Sequence, residues 1–189
     1  MAYKTRTLAL AAAGLAATMT ALPAVAHPGH GGGAGMMAGF LHPLTGLDHL
    51  LALLALGLWS RQQRSGFVLP PVFLALMALG ASCVAMVADG MLPALEMSIA
   101  ATVLLLGALA ASALRLPPQI AVLLASLCGF LHGLAHGREL AGMPSGAGFL
   151  LASALVMGLG IVVRPDEQRR RIAGAAIGAA GLCLLTGLV

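Results

Sequence analysis

Apolar runs of about twenty residues, such as the stretch from Val72 to Ala88, recur along this chain between short polar breaks. Twenty residues of α-helix is the length that crosses roughly 30 Å of hydrocarbon. Only 8% of the residues are charged and 60% are apolar, whereas about a quarter are charged in soluble domains. The pattern predicts an all-α, polytopic membrane bundle of six transmembrane helices, over 34–59, 66–88, 93–114, 117–139, 145–163 and 171–188. Ahead of them, Lys4 and Arg6 precede a shorter apolar stretch that ends at Ala24-Val25-Ala26. That is the layout of a cleavable signal peptide over 1–26, leaving a mature domain over 27–189.

The basic residues orient the bundle. With the mature N-terminus outside, the inner loops hold Arg61, Arg64, Arg115, Arg164, Arg169, Arg170 and Arg171, against Arg138 alone in the outer loops. This asymmetry predicts a multi-pass inner-membrane protein with both mature termini on the periplasmic side. The same residues form no aromatic-interleaved patch, so a nucleic-acid partner is not expected. Trp59 reads as an interfacial anchor. Every loop is short, which leaves no room for a nucleotide-binding module, and no ATPase subunit is evident. Cys83, Cys128 and Cys183 lie inside apolar segments without paired spacing and read as packing residues, not as a disulfide framework.

Ionisable residues inside a span are costly, roughly 2.5 to 3.5 kcal/mol for a central Asp on insertion scales, and they face a bundle interior, a cavity or a partner. Asp48 and His49 fall near the middle of the first span, with His42 about 7 Å toward the outer face. In the fourth span His132 and His136 stand about 6 and 12 Å above the middle on the same side. His132, His136 and Glu139 share one helical stripe. On a regular helix His42 and His49 are about 10 Å apart in rise. Either Pro43 and Gly46 break the first span to form one shared site, or two sites follow one another, His42 with His132 above and Asp48 with His49 below. Gly129, Gly133 and Gly137 form a small-residue ridge for close helix approach, and the first span is its expected partner. Imidazoles with carboxylates suit a borderline divalent transition metal. Glu96, near the outer start of the third span, and His27 and His30, on a glycine-rich leash, are candidates for an outer vestibule. Asp89 reads as a solvated turn residue.

The segment His42 to His49, "HPLTGLDH", resembles the H-x5-D-H signature of the HupE/UreJ family, and "HGLAHGRE", His132 to Glu139, resembles that family's F-H-G-x-A-H-G-x-E motif, with Leu131 where the motif has Phe. The resemblance implies a small secondary permease for nickel, in some members cobalt, associated with hydrogenase or urease maturation. It implies His42, Asp48, His49, His132, His136 and Glu139 as the functional residues. The expected function is uptake of a divalent metal ion, Ni2+ or alternatively Co2+, into the cytoplasm, with the ion as substrate and no permanently bound cofactor. A non-enzyme is expected, since "HGLAH" lacks the glutamate of H-E-x-x-H and no Gly-x-Ser-x-Gly turn occurs. The reading from another class is a membrane haem-binding electron carrier, because paired histidines on two helices ligate haem iron axially.

Overall fold

The structure is a computed structural model that describes residues 35–112, 114–140, 142–163 and 165–187, and at Asp89 the backbone only. The expected signal peptide and the candidate residues His27 and His30 lie outside the described residues, as does the side chain of Asp89. The described part contains seven α-helices and no strand: α1 (Met36–Thr45), α2 (Leu47–Ser60), α3 (Leu69–Cys83), α4 (Leu92–Ala111), α5 (Pro118–His136), α6 (Gly142–Val162) and α7 (Glu167–Thr186). Short 3-10 turns at Val84–Met86 and Asp89–Met91 link α3 to α4. Proline opens α3, α4 and α5, at positions where its missing N–H costs no helical bond and its fixed φ suits the first turn.

The first expected span is broken in two. α1 and α2 meet at Gly46 with a bend of 81°. Pro43 lies inside α1 and has no N–H to donate to the turn before it, and Gly46 adopts an extended conformation. α2 then restarts with Leu50 N–H donating to the Gly46 carbonyl at 2.9 Å.

Four helical segments are long and apolar enough to cross a membrane, and the bent α1–α2 pair makes five if it counts as one span. The sixth expected span, α7, is not among them. Its first turn is Glu167-Gln168-Arg169-Arg170-Arg171, capped by the Asp166 carboxylate, which accepts from Arg169 N–H at 2.8 Å. What remains from Ile172 on is about 22 Å of apolar helix. Arg170 is spent on structure, donating to the carbonyls of Ala110 and Ser112 where α4 ends.

α2 is the central helix: Ala52, Leu53, Ala55, Leu56 and Trp59 are fully buried, and it packs on α4 and α6. Trp59 is therefore a core residue and not the expected interfacial anchor. Its indole N–H has no partner among the described residues. α3 packs along α5, α4 along α7, and α1 along α6. Large apolar residues such as Leu123 and Leu127 on α5, and Leu151, Leu155 and Leu159 on α6, are exposed in stripes four residues apart. They form the face that a bilayer covers.

The glycine ridge has a different partner from the one expected. A Cβ at Gly129 would overlap the backbone of Phe73, one at Gly133 the carbonyl of Met77, and one at Gly137 the backbone of Ala81, all on α3. Gly80 of α3 reciprocates against Phe130 of α5. The first span instead lies close to α6, where Gly39 meets Ser145 and Gly148 meets Met36. Periodic glycines specify that some helix approaches closely, but they carry no information on which one.

Candidate metal centre

Three helices, α1, α2 and α5, supply the histidines gathered at mid-bundle. The break at Gly46 turns the end of α1 against the start of α2, so His42 and His49 no longer have to be separated by two turns of regular helix. His42 comes within 3.3 Å of His136 Nδ1 through its Nε2 atom. His49 faces His132, with the two Nδ1 atoms 3.2 Å apart. Ring centroids lie 5.2 Å apart for His42 and His136, and 5.1 Å for His49 with either His132 or His136. Phe149 of α6 closes one side, its ring 4.7 Å from that of His49 and 5.6 Å from that of His42.

Two groups of ligand atoms result, and they share one residue. The outer group is His42, His136 and Glu139; the inner group is His49, His132 and His136, and within each group the ligand atoms lie within 4.8 Å of one another. In the outer group Glu139 Oε2 is 2.9 Å from His42 Nε2 and 2.9 Å from His136 Nδ1. Around an ion with metal–nitrogen bonds of about 2.0–2.1 Å, neighbouring ligand atoms are separated by roughly 3.0–3.4 Å. The spacings of the outer group suit such an ion, as does the 3.2 Å between His49 and His132 in the inner one. Burial rises inward: the Glu139 side chain is 53% exposed and that of His42 28%, His136 is 8% exposed, and His49 and His132 are fully buried. Nδ1 of His136 is engaged by the outer group, whereas its Nε2 is buried with no partner among the described residues.

Glu139 follows α5, in the turn closed by its own N–H donating to the His136 carbonyl at 3.0 Å. Partial burial pushes its carboxyl up, but hydrogen bonds from His136 and His42, with the charge those rings carry when protonated, outweigh burial and bring it down to about 2. The carboxylate is thus the fixed negative charge at the mouth of the cluster.

Asp48 stands apart from both groups. Its Oδ1 accepts from the His49 backbone N–H at 2.7 Å in the first turn of α2. There it satisfies an amide that the helix start leaves unpaired and complements the positive helix end. Glu96 is exposed on α4 and belongs to neither group. Cys128 is buried on α5 outside both groups. The two successive pairs read from helical rise are regrouped: His132 sits with the inner residues and His136 joins the outer ones, because α1 and α2 are not collinear. A haem between two histidines is not favoured either. An axially ligated macrocycle must lie between its two imidazoles, and His49 and His132 already touch.

Three residues of the cluster carried no conspicuous sequence signal. Besides Phe149, Thr102 of α4 has its Oγ1 2.8 Å from His132 Nε2, and Ser153 of α6 has its Oγ 3.2 Å from His49 Nε2. Thr102 and Ser153 each fall near the middle of a span, the one weak clue, but hydroxyls in membrane helices commonly bond within their own helix.

A family model described as HupE / UreJ protein matches residues 15–184. Protein HupE from Rhizobium leguminosarum bv. viciae is 36% identical over 180 residues, which cover 88% of this chain and 93% of that protein. No solved structure matches the chain.

Proposed function

This chain belongs to the HupE/UreJ family, and on that premise we propose that it is a secondary permease taking up a divalent transition metal, Ni2+ in the first place and Co2+ as the alternative, across the inner membrane into the cytoplasm. The supporting observation is the pair of ligand groups joined at His136. In this reading the outer group, with the Glu139 charge, strips water from an arriving ion. The ion then passes to His49 and His132 as His136 exchanges its Nδ1 contact for its unpartnered Nε2. Asp48 acts from beside the site, by holding the start of α2 and with it the His49 ring. α7 completes a six-span topology, its arginine-rich first turn at the cytoplasmic surface, and both mature termini are periplasmic. The protein is a transporter and not an enzyme, and the metal it delivers serves a nickel enzyme such as hydrogenase or urease.

A doubly charged ion gains about 4.6 kcal/mol for each 100 mV of inside-negative potential, so uptake needs no nucleotide. Proteoliposomes carrying the protein and a potassium-diffusion potential, negative inside, are expected to accumulate radioactive nickel without ATP and to lose that accumulation when the potential is collapsed. Accumulation no greater than in protein-free vesicles would refute the proposal, and competition with unlabelled cobalt decides between the two ions.

Acidity tests the Glu139 charge. Glu139 has a lowered pKa, so its charge is lost only as pH falls through that lowered value; between about pH 5 and 7 it is constant. Glu139→Gln is expected to raise the KM for metal by about tenfold, by the same factor at about pH 5 as at about pH 7. A factor that shrinks toward pH 5 would show that the Glu139 charge is already being lost there.

A further inference from the structure

We infer that Thr102 and Ser153 are positioning residues for the inner group, holding the Nε2 edges of His132 and His49 so that both Nδ1 atoms present lone pairs to one divalent cation. The inference rests on the metal-transport reading given above. Neither residue belongs to the two histidine motifs, and each sits on a helix that contributes no metal-binding side chain of its own.

The hydrogen bonds fix the direction at Thr102. Its hydroxyl has one proton, and Oγ1 lies 2.7 Å from the Ile99 carbonyl, to which it donates. Only its lone pairs remain for His132 Nε2, 2.8 Å away. His132 must therefore donate from Nε2. A neutral imidazole carries a single ring proton, so Nδ1 of His132 is left as a bare acceptor directed at His49. This is the arrangement by which a ligating histidine is set in one tautomer and one orientation by the bond its other nitrogen makes.

Ser153 is built differently. It is fully buried, and its contact with His49 Nε2 is the one hydrogen bond its side chain makes among the described residues. No carbonyl commits the hydroxyl proton, so it turns either way. With no ion present, His49 Nδ1–H donates to His132 Nδ1, and Ser153 donates to His49 Nε2. With an ion present, both Nδ1 atoms face it. The His49 ring proton then resides on Nε2, and a lone pair of the Ser153 hydroxyl oxygen accepts it. The proton count is unchanged, since the ring proton only changes nitrogen. Thr102 is thus a fixed stop and Ser153 a reversible one. Together they let the empty site stay internally hydrogen-bonded without a buried charge, and still open to a cation.

The test uses the full chain purified in detergent, with Co2+ as the spectroscopic probe. Thr102→Val keeps shape and removes the acceptor; Thr102→Ser keeps the acceptor. Co2+ affinity is expected to fall roughly 10- to 100-fold in Thr102→Val and in Ser153→Ala, and to stay within a few-fold of wild type in Thr102→Ser and Ser153→Thr, with thermal unfolding reporting that each variant is folded. Imidazole nitrogen-15 shifts of the metal-free protein are expected to show His132 protonated at Nε2, and to lose that preference in Thr102→Val. Wild-type Co2+ affinity in Thr102→Val, equal losses in Thr102→Val and Thr102→Ser, or a metal-free His132 protonated at Nδ1 would each overturn the positioning role alone. A wild-type protein that binds no Co2+ overturns the transport reading, and the positioning role with it.

Discussion

Cells carrying His132→Ala are expected to accumulate nickel at least about 100-fold more slowly than cells carrying the wild-type protein, a loss of about 2.7 kcal/mol. His132 is fully buried near the C-terminal end of α5, its Nδ1 faces His49 Nδ1 at 3.2 Å, and no other described histidine or acid stands close enough to replace it in the inner group. Removing it leaves His49 and His136, too few ligands to compensate an ion for its lost hydration. His42→Ala removes an outer ligand instead, at a position that is 28% exposed. Water can substitute there, so a smaller loss with a raised KM is expected. Radioactive nickel uptake, normalised to the amount of protein in the membrane, measures both. Uptake by His132→Ala at the wild-type rate would remove the inner group from the transport path.

Gly133→Val is expected to unfold or mispack the bundle. A Cβ at Gly133 would overlap the Met77 carbonyl, and Gly129 makes the same demand one turn earlier against Phe73. Because the obstruction is backbone, no side-chain rotation relieves it, and α3 and α5 must separate. Overpacking of this kind costs about 1–3 kcal/mol or more, and here it also displaces His132, the residue next to Gly133. Gly146→Ala and Gly158→Ala on α6 are the controls: nothing lies within 4 Å of a Cβ at either position, and replacing a mid-helix glycine by alanine is worth roughly 0.5–1 kcal/mol of stability. Thermal unfolding in detergent is expected to order the variants with Gly133→Val far below wild type and the two controls at or above it. A Gly133→Val protein as stable as wild type would mean that the tight α3–α5 approach is not needed for the fold.

The hydrocarbon runs made the helical class legible, since a lipid-facing segment has few ways to satisfy its backbone. The His42 to His49 and His132 to Glu139 segments marked where polar groups converge, because burying them in lipid without partners is costly. Legibility stopped where an answer depended on a neighbour. Trp59 has the amphipathic character of an interfacial residue, yet α2 is central and buries it. Asp48 looks like a ligand by type and by motif, but the start of α2 at Gly46 puts its carboxylate on the His49 amide. α7 reads as apolar over 171–188, but which partners take up the charges of its first turn, the cap at Asp166 and the end of α4, is set by the packing.

What the residues determined unaided was a set of apolar helices and the two histidine motifs, with a break at Pro43 and Gly46 as one of two alternatives for the first span; composition and local backbone chemistry suffice for these because each depends on only a few adjacent positions. Which helix the glycines face, which histidines pair, and that Thr102 and Ser153 back the two innermost rings were decided by the tertiary structure alone. Those contacts join residues between 30 and 104 positions apart, and they exist only once the 81° bend and the close α3–α5 approach have set the helices against one another.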